Sequence, residues 1–169
     1  MSTSIQFISP RGEAYYPSLN KTETYKGHDT GKFTLKLVLS DTALEEMRER
    51  INQVLIDAYG SKKAPKVWED VKPIRTTKEG GKAYVKFMAN AVTPDGKARI
   101  IPLYDSAGSL IVAPLNLGTG SIIRVNGTMI ISAPKTPWVA FYMNSVQVLE
   151  YIPKVHASGF DAVPGGFTV

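Results

Sequence analysis

The sequence predicts a small all-β barrel carrying one helix, and three observations predict it. The first is the region from Lys97 to Tyr151, where apolar runs at Ile100 to Tyr104, Ser121 to Ser132 and Trp138 to Tyr151 follow one another closely. They are separated by Asp105-Ser106-Ala107-Gly108, Leu117-Gly118-Thr119-Gly120 and Ala133-Pro134-Lys135-Thr136-Pro137, the punctuation of short antiparallel strands. The second is a pair of alternating stretches upstream, and the third is one segment of helical period lying between them. With 169 residues the chain is sized for one domain that buries its own core, over about residues 1–152.

Residues 1–31 scatter Tyr15, Tyr16, Leu19 and Tyr25 among Gly12, Pro17 and Gly27, which reads as an irregular or edge-strand arm anchored by its aromatics. From Gly31 onward Phe33, Leu35, Leu37 and Leu39 alternate with Lys32, Thr34, Lys36 and Val38, giving a strand with one buried face and Lys36 outside. Ser40-Asp41-Thr42 then offers oxygens to the free amides of a helix start, with Glu45 and Glu46 in the turn where the dipole favours them. Leu44, Met47, Ile51, Val54, Leu55 and Ala58 form one apolar stripe and Gly60 a stop, so a helix over Asp41 to Tyr59 covers the barrel. Arg48, Glu49 and Arg50 lie off the stripe, on a solvated face.

Residues 61–81 mix Lys62, Lys63, Lys66, Lys72, Arg75 and Lys78 with Pro65, Pro73 and Gly80, which predicts a long basic loop, with Trp68 either packing it down or stacking a base. In the strand from Lys82 to Ala91, Val85, Phe87 and Ala89 take one face and Tyr84, Lys86, Met88 and Asn90 the other. A tyrosine beside a lysine on an exposed strand sets a flat π surface next to a cation, as an unpaired base and its phosphate require. Thr93-Pro94-Asp95-Gly96 predicts a hairpin returning along Ala98 to Tyr104, with Pro102 marking an edge or strand end. Gly118-Thr119-Gly120-Ser121 lacks the second half of a phosphate loop and leads into a strand, so it is a glycine turn. Gly127 predicts a bulge or bend within the strand that follows, and the change of parity between Phe141/Met143 and Val146/Val148 predicts another near Asn144-Ser145. After Pro153 the pattern ends, and residues 153–169 read as a flexible tail.

The net charge of +5 is concentrated: residues 62–99 hold 10 Lys/Arg against 4 Asp/Glu, which points to a polyanionic partner. There is no cysteine, hence no disulfide and no thiolate metal site. His28 and His156 stand in the arm and the tail, away from any suggestive carboxylate pair, so neither an enzyme nor a cofactor or metal site is expected. The start of the chain lacks the features of a signal peptide and no apolar run is long enough to span a bilayer, so a soluble protein without a membrane partner is expected.

Several segments fall in a recognisable order. They are Ala14-Tyr15-Tyr16-Pro17, Gly31-Lys32-Phe33, a helix ending Asp57-Ala58-Tyr59, the Lys/Tyr strand at Lys82 to Asn90, and Ile101-Pro102-Leu103-Tyr104-Asp105. Gly120-Ser121-Ile122-Ile123-Arg124-Val125 and Ser145-Val146-Gln147-Val148-Leu149-Glu150-Tyr151 complete the series. Over about residues 13–152 this arrangement resembles the single-stranded DNA-binding proteins of tailed bacteriophages, of the short-tailed coliphage type.

The resemblance implies a five-stranded OB-type barrel with an α-helix inserted after the first core strand. It implies a protein that coats single-stranded DNA irrespective of sequence during phage replication, recombination and repair, in the cytoplasm of an infected host, with a homodimer as a further implication. On such a barrel Lys36, Tyr84, Lys86 and Arg124 are expected to converge into one patch, joined by Lys82, Lys97 and Arg99 at the adjoining hairpin and by Trp138, Phe141 and Tyr142 near the last loop. Family members commonly end in an acidic tail closed by an aromatic residue that contacts replication enzymes. Here only Asp161 is acidic after Glu150, with Phe160 and Phe167 the nearest aromatics, so that contact lacks its charge. The competing reading is a structural or protein-binding phage module on the same barrel, which would bind without sensitivity to salt.

Overall fold

Alternation along two strands decides which way the sheet faces. In β5 (Lys32–Val38), Phe33, Leu35 and Leu37 are buried, and in β7 (Ala83–Asn90) so are Val85, Phe87 and Ala89. The two pair antiparallel, Lys36 opposite Lys86, which leaves their charged residues on the other side. The computed structural model describes residues 3–78, 80–112, 115–132 and 137–154. The predicted tail beyond residue 154 lies outside them.

Among the described residues five strands close the barrel. β2 (Gly12–Ser18) pairs β5, β5 pairs β7, and β7 runs parallel to β10 (Val139–Glu150). β10 pairs antiparallel with β9 (Ile122–Ile131), and β9 returns to β2 through Gly12 and Glu13. β1 (Thr3–Ile8) extends the wall by pairing the other half of β9. The expected arm at residues 1–31 is therefore corrected in part: β1 is an edge strand, but β2 is a stave of the barrel. Its alternation, Gly12 and Ala14 in against Glu13 and Tyr15 out, is too short to stand out before the break at Tyr16-Pro17. A two-stranded hairpin, β3 (Thr24–Tyr25) and β4 (His28–Asp29), rises between β2 and β5.

The helix α1 (Asp41–Tyr59) has the bounds its sequence predicts. Ser40 Oγ accepts from the Ala43 amide, and Ala43, Met47, Ile51, Val54 and Leu55 are buried, while Ala58, read as part of the stripe, is exposed. Tyr59 donates its hydroxyl proton to the Ser132 carbonyl, tying the helix end to the end of β9.

The basic loop needs a second correction, because it contains α2 (Ala64–Val71) and the short β6 (Arg75–Thr76), which pairs β7. Pro65 suits a first helical turn, and Ala64, Val67, Trp68 and Val71 recur at helical spacing on the side packed against the core. The lysines obscured this stripe.

The predicted return strand from Ala98 to Tyr104 shrinks to a bridge between Val92 and Ala98 and to β8 (Leu103–Tyr104), parallel to β10. Pro102 has no amide to give a ladder, although its carbonyl accepts from Val146 at 3.0 Å.

The centre of the barrel is aromatic. Phe7, Phe87 and Phe141 meet with ring centroids 5.8–6.3 Å apart, mostly edge to face. Phe141, expected among the outward DNA-binding residues, is 4% exposed and belongs to this core. Neighbouring residues on a strand face opposite ways, so Phe141 and Tyr142 cannot share a surface.

The bend expected at Gly127 is also relocated. The register of β1 on β9 is unbroken there, and β10 instead carries irregularities between Met143 and Ser145, as its parity switch predicts, and between Val148 and Glu150. The bulged Asn144 donates from its side-chain amide to Thr128 Oγ1 at 3.0 Å. Gly127 serves close approach instead: a Cβ there would sit 2.8 Å from the Tyr142 carbonyl oxygen and 3.0 Å from the Phe87 ring.

Candidate nucleic-acid interface

Because paired residues on adjacent strands share a face, the register of β2, β5 and β7 lines up Tyr15, Lys36 and Lys86 in one outward row. Tyr84 stands in the next row, opposite Val38. The Lys36 ammonium lies 5.1 Å from the Tyr84 ring centre and 6.0 Å from that of Tyr15, so one cation is held beside two rings. Contacts of this kind contribute about 0.5–1 kcal/mol at exposed sites, enough to bias a lysine's position without removing it from solvent.

Lys86 is positioned differently. Its ammonium lies 3.7 Å from Glu23 Oε1, and the other oxygen of Glu23 accepts from the Thr34 hydroxyl at 3.1 Å. Glu23 is fixed in turn, because its amide donates to the Lys32 carbonyl at 2.7 Å, at the foot of the β3–β4 hairpin. A carboxylate thus sits where a phosphate would meet Lys86. Glu23→Gln is expected to raise affinity for a polyanion about two- to fivefold, the range of an exposed ion pair, and to steepen the salt dependence. Anisotropy titration at several salt concentrations checks this; an unchanged slope would show that the pair does not restrain Lys86.

The hairpin above Glu23 carries Tyr25, 65% exposed, with the Lys26 ammonium 5.4 Å from its ring centre. Asp29 holds the hairpin's return. Its carboxylate accepts from the Thr22 hydroxyl and from the Gly31 amide at 2.8 Å, which keeps its pKa below the ordinary value. On the other side of β7 a groove of about 240 Å³ is bordered by Lys72, Pro73 and Arg75, with Tyr84, Lys86 and Met88 along its floor. Sequence pattern alone does not mark Lys72, Arg75, Tyr15 and Tyr25 as site residues. The signal for Arg75 is a two-residue strand, and that for Lys72 is the end of the hidden helix α2.

No family model and no curated protein matches the sequence. Solved structures do match. The single-stranded DNA-binding protein gp2.5 of bacteriophage T7 superposes with a TM-score of 0.64 at 19% identity, over 99% of this chain and 100% of that one. The single-stranded DNA-binding protein of bacteriophage Enc34, in complex with single-stranded DNA, matches with a TM-score of 0.58 at 10% identity, over 92% of this chain and 89% of that one. The chain has the fold of bacteriophage single-stranded DNA-binding proteins. A second structure of the Enc34 protein agrees, with a TM-score of 0.55 at 12% identity over 95% of this chain and 87% of that one.

OB-type barrels generally present oligonucleotides with the face of their second and third strands, between the loops joining strands one to two and four to five. In this barrel those strands are β5 and β7, and the first of those loops carries the β3–β4 hairpin. The expected site residues distribute around that face unequally. Lys36, Tyr84 and Lys86 come together as predicted. Tyr142, half-buried, stands beside Met88 in the register of β10 on β7, and Trp138, 45% exposed, immediately precedes β10.

Arg99 donates from Nε to the Asn90 carbonyl at 2.8 Å at the far end of β7, and Lys97 beside it lies 3.9 Å from Asp95. Lys82 lies in a separate depression with Trp68.

Arg124 does not join the patch. It stands opposite Gln147 on β10, in β9 next to the Gly12 end of β2, and lines hollows with Arg11 and Arg50 on one side and Tyr104 on the other. Strand parity correctly gives an outward side chain, but the site of outward exposure depends on how far along β2 the pairing falls. Among the described residues no helix is long and apolar enough to cross a membrane, and no three His, Asp or Glu side chains gather as a metal site.

Proposed function

We propose that the chain binds single-stranded DNA irrespective of sequence on the outer face of β5 and β7, and coats and protects it during phage DNA replication, recombination and repair. The observation that carries this reading is Lys36 held beside the rings of Tyr15 and Tyr84 on an exposed strand face. Rings accept any base by stacking, at roughly 1–3 kcal/mol per base, while Lys36, Lys86, Lys72 and Arg75 meet phosphates. Trp138, Tyr142, Lys97, Arg99 and Lys82 extend the surface at its margins, and Phe141 acts only through the core beneath. The Enc34 neighbour solved with single-stranded DNA supports this choice of partner. In this reading the protein is a non-enzymatic coat acting in the cytoplasm of an infected host.

An electrophoretic shift with single- against double-stranded DNA at two salt concentrations tests the reading. Preference for the single strand is expected, with log K falling by about 0.7 per decade of salt for each phosphate contacted. Absence of binding, or binding indifferent to salt, would assign the face to a protein partner instead.

A further inference from the structure

Three arginines connect four depressions on the barrel surface into one path. The groove over β7 and the larger depression beside Trp68 share Arg75. That depression and the hollow between the β1–β2 turn and α1 share Arg11 and Ser40. The hollow shares Ile8 and Arg124 with the last depression, bordered by Tyr104, Asn126 and Gln147.

The charge along this path is predominantly positive. Lys72 and Lys86 line its start, Arg48 and Lys82 its second stage and Arg50 its third. The carboxylates bordering it are Glu13, Asp41 and Glu46, and Glu46 is already paired with Arg50 at 3.3 Å. Arg50 is further committed to the Ile8 carbonyl at 2.7 Å. The guanidinium groups of Arg11 and Arg124, by contrast, make no hydrogen bond or ion pair with another described residue. Two outward guanidinium groups without an internal partner, at consecutive turns of a groove that also offers Trp68 and Tyr104, are chemically suited to successive phosphates and bases.

We infer that a single strand does not end on the β5–β7 face but continues past Arg75 and Trp68, turns at Arg11 and finishes at Arg124 and Tyr104, partly encircling the barrel. This rests on the proposed single-strand reading, and it assigns to Arg124 a distal segment rather than a place in the central patch.

The test compares two lengths of oligothymidylate, about 6 and about 24 nucleotides, the shorter sized for one OB face. The full chain and its Arg11→Gln/Arg124→Gln variant are titrated by fluorescence anisotropy across a salt series. The variant is expected to bind the short oligomer like wild type but to lose about tenfold or more on the long one near 0.1 M salt. Its salt slope on the long oligomer is expected to fall by about 1.4, two phosphate contacts' worth. The Arg11→Lys/Arg124→Lys variant keeps the charges and is expected to retain the slope, which separates loss of contact from loss of fold.

Equal losses on both lengths, or an unchanged long-oligomer slope, would overturn the path. In that case a Tyr84→Ala variant weakened on both lengths would leave the central reading standing. If wild type binds neither length, the single-strand reading itself fails, and the path with it.

Discussion

Tyr84→Ala is expected to weaken single-stranded DNA binding by about 1–3 kcal/mol, roughly 5- to 150-fold in Kd, while the barrel stays folded. The ring lies on the outer face of β7, so its removal opens no cavity in the core. Inside the protein it loses mainly the Lys36 contact, worth about 0.5–1 kcal/mol. Two consequences for DNA follow from that geometry. One stacking surface disappears, and Lys36 keeps only the more distant ring of Tyr15 to hold it near the strand. Anisotropy titration alongside a thermal melt measures both sides. A variant with wild-type affinity would remove Tyr84 from the interface, and one that melts far lower would show that the ring acts in folding.

Phe141→Ala should give the opposite pattern. The side chain is buried against Phe7 and Phe87 at the centre of the barrel, and truncation of such a ring costs about 3–5 kcal/mol. That is a large part of the stability of a domain this size, so a drop in melting temperature of several degrees or more is expected. At a temperature where the variant remains folded, its affinity for an oligonucleotide should match wild type. Lost affinity in a demonstrably folded variant would return Phe141 to the binding surface, against its burial. Together the two substitutions separate the outer and inner faces of one barrel.

The parts of the fold legible in the sequence are those in which one period runs long enough to be distinguished from chance. The apolar stripe from Met47 to Leu55 reveals α1 and the caps Ser40 and Gly60 give it its bounds, and β5 and β7 reveal their two faces by alternation over seven and eight residues. Short elements are hidden by their punctuation: Pro65 and three lysines disguise the stripe of α2, and Gly12 and Pro17 bracket β2 so tightly that its alternation is lost. For the site, parity identifies Lys36, Tyr84, Lys86 and Arg124 as outward, but parity is a property of one strand. Their grouping depends on register between strands that are distant in sequence, and this puts Tyr15 beside Lys36 and sends Arg124 to Arg11 instead. Phe141 lies close in sequence to Trp138 and Tyr142, but alternation along β10 turns it into the core while Tyr142 faces out.

The pairing of β1 and β2 with β9 has a consequence for how the chain acquires its structure. The Val125 amide donates to Ser9 Oγ across 116 residues, and β9 supplies partners to both N-terminal strands. During synthesis the first strands therefore emerge long before the element that closes them, and Phe7 and Ala14 lack their native cover until β9 has left the ribosome. Such distant pairings slow folding, because a long loop must be ordered before any contact rewards it. Ribosome-bound chains stopped before β9 should therefore expose apolar surface to chaperones, and barrel closure should be a late, nearly all-or-none event.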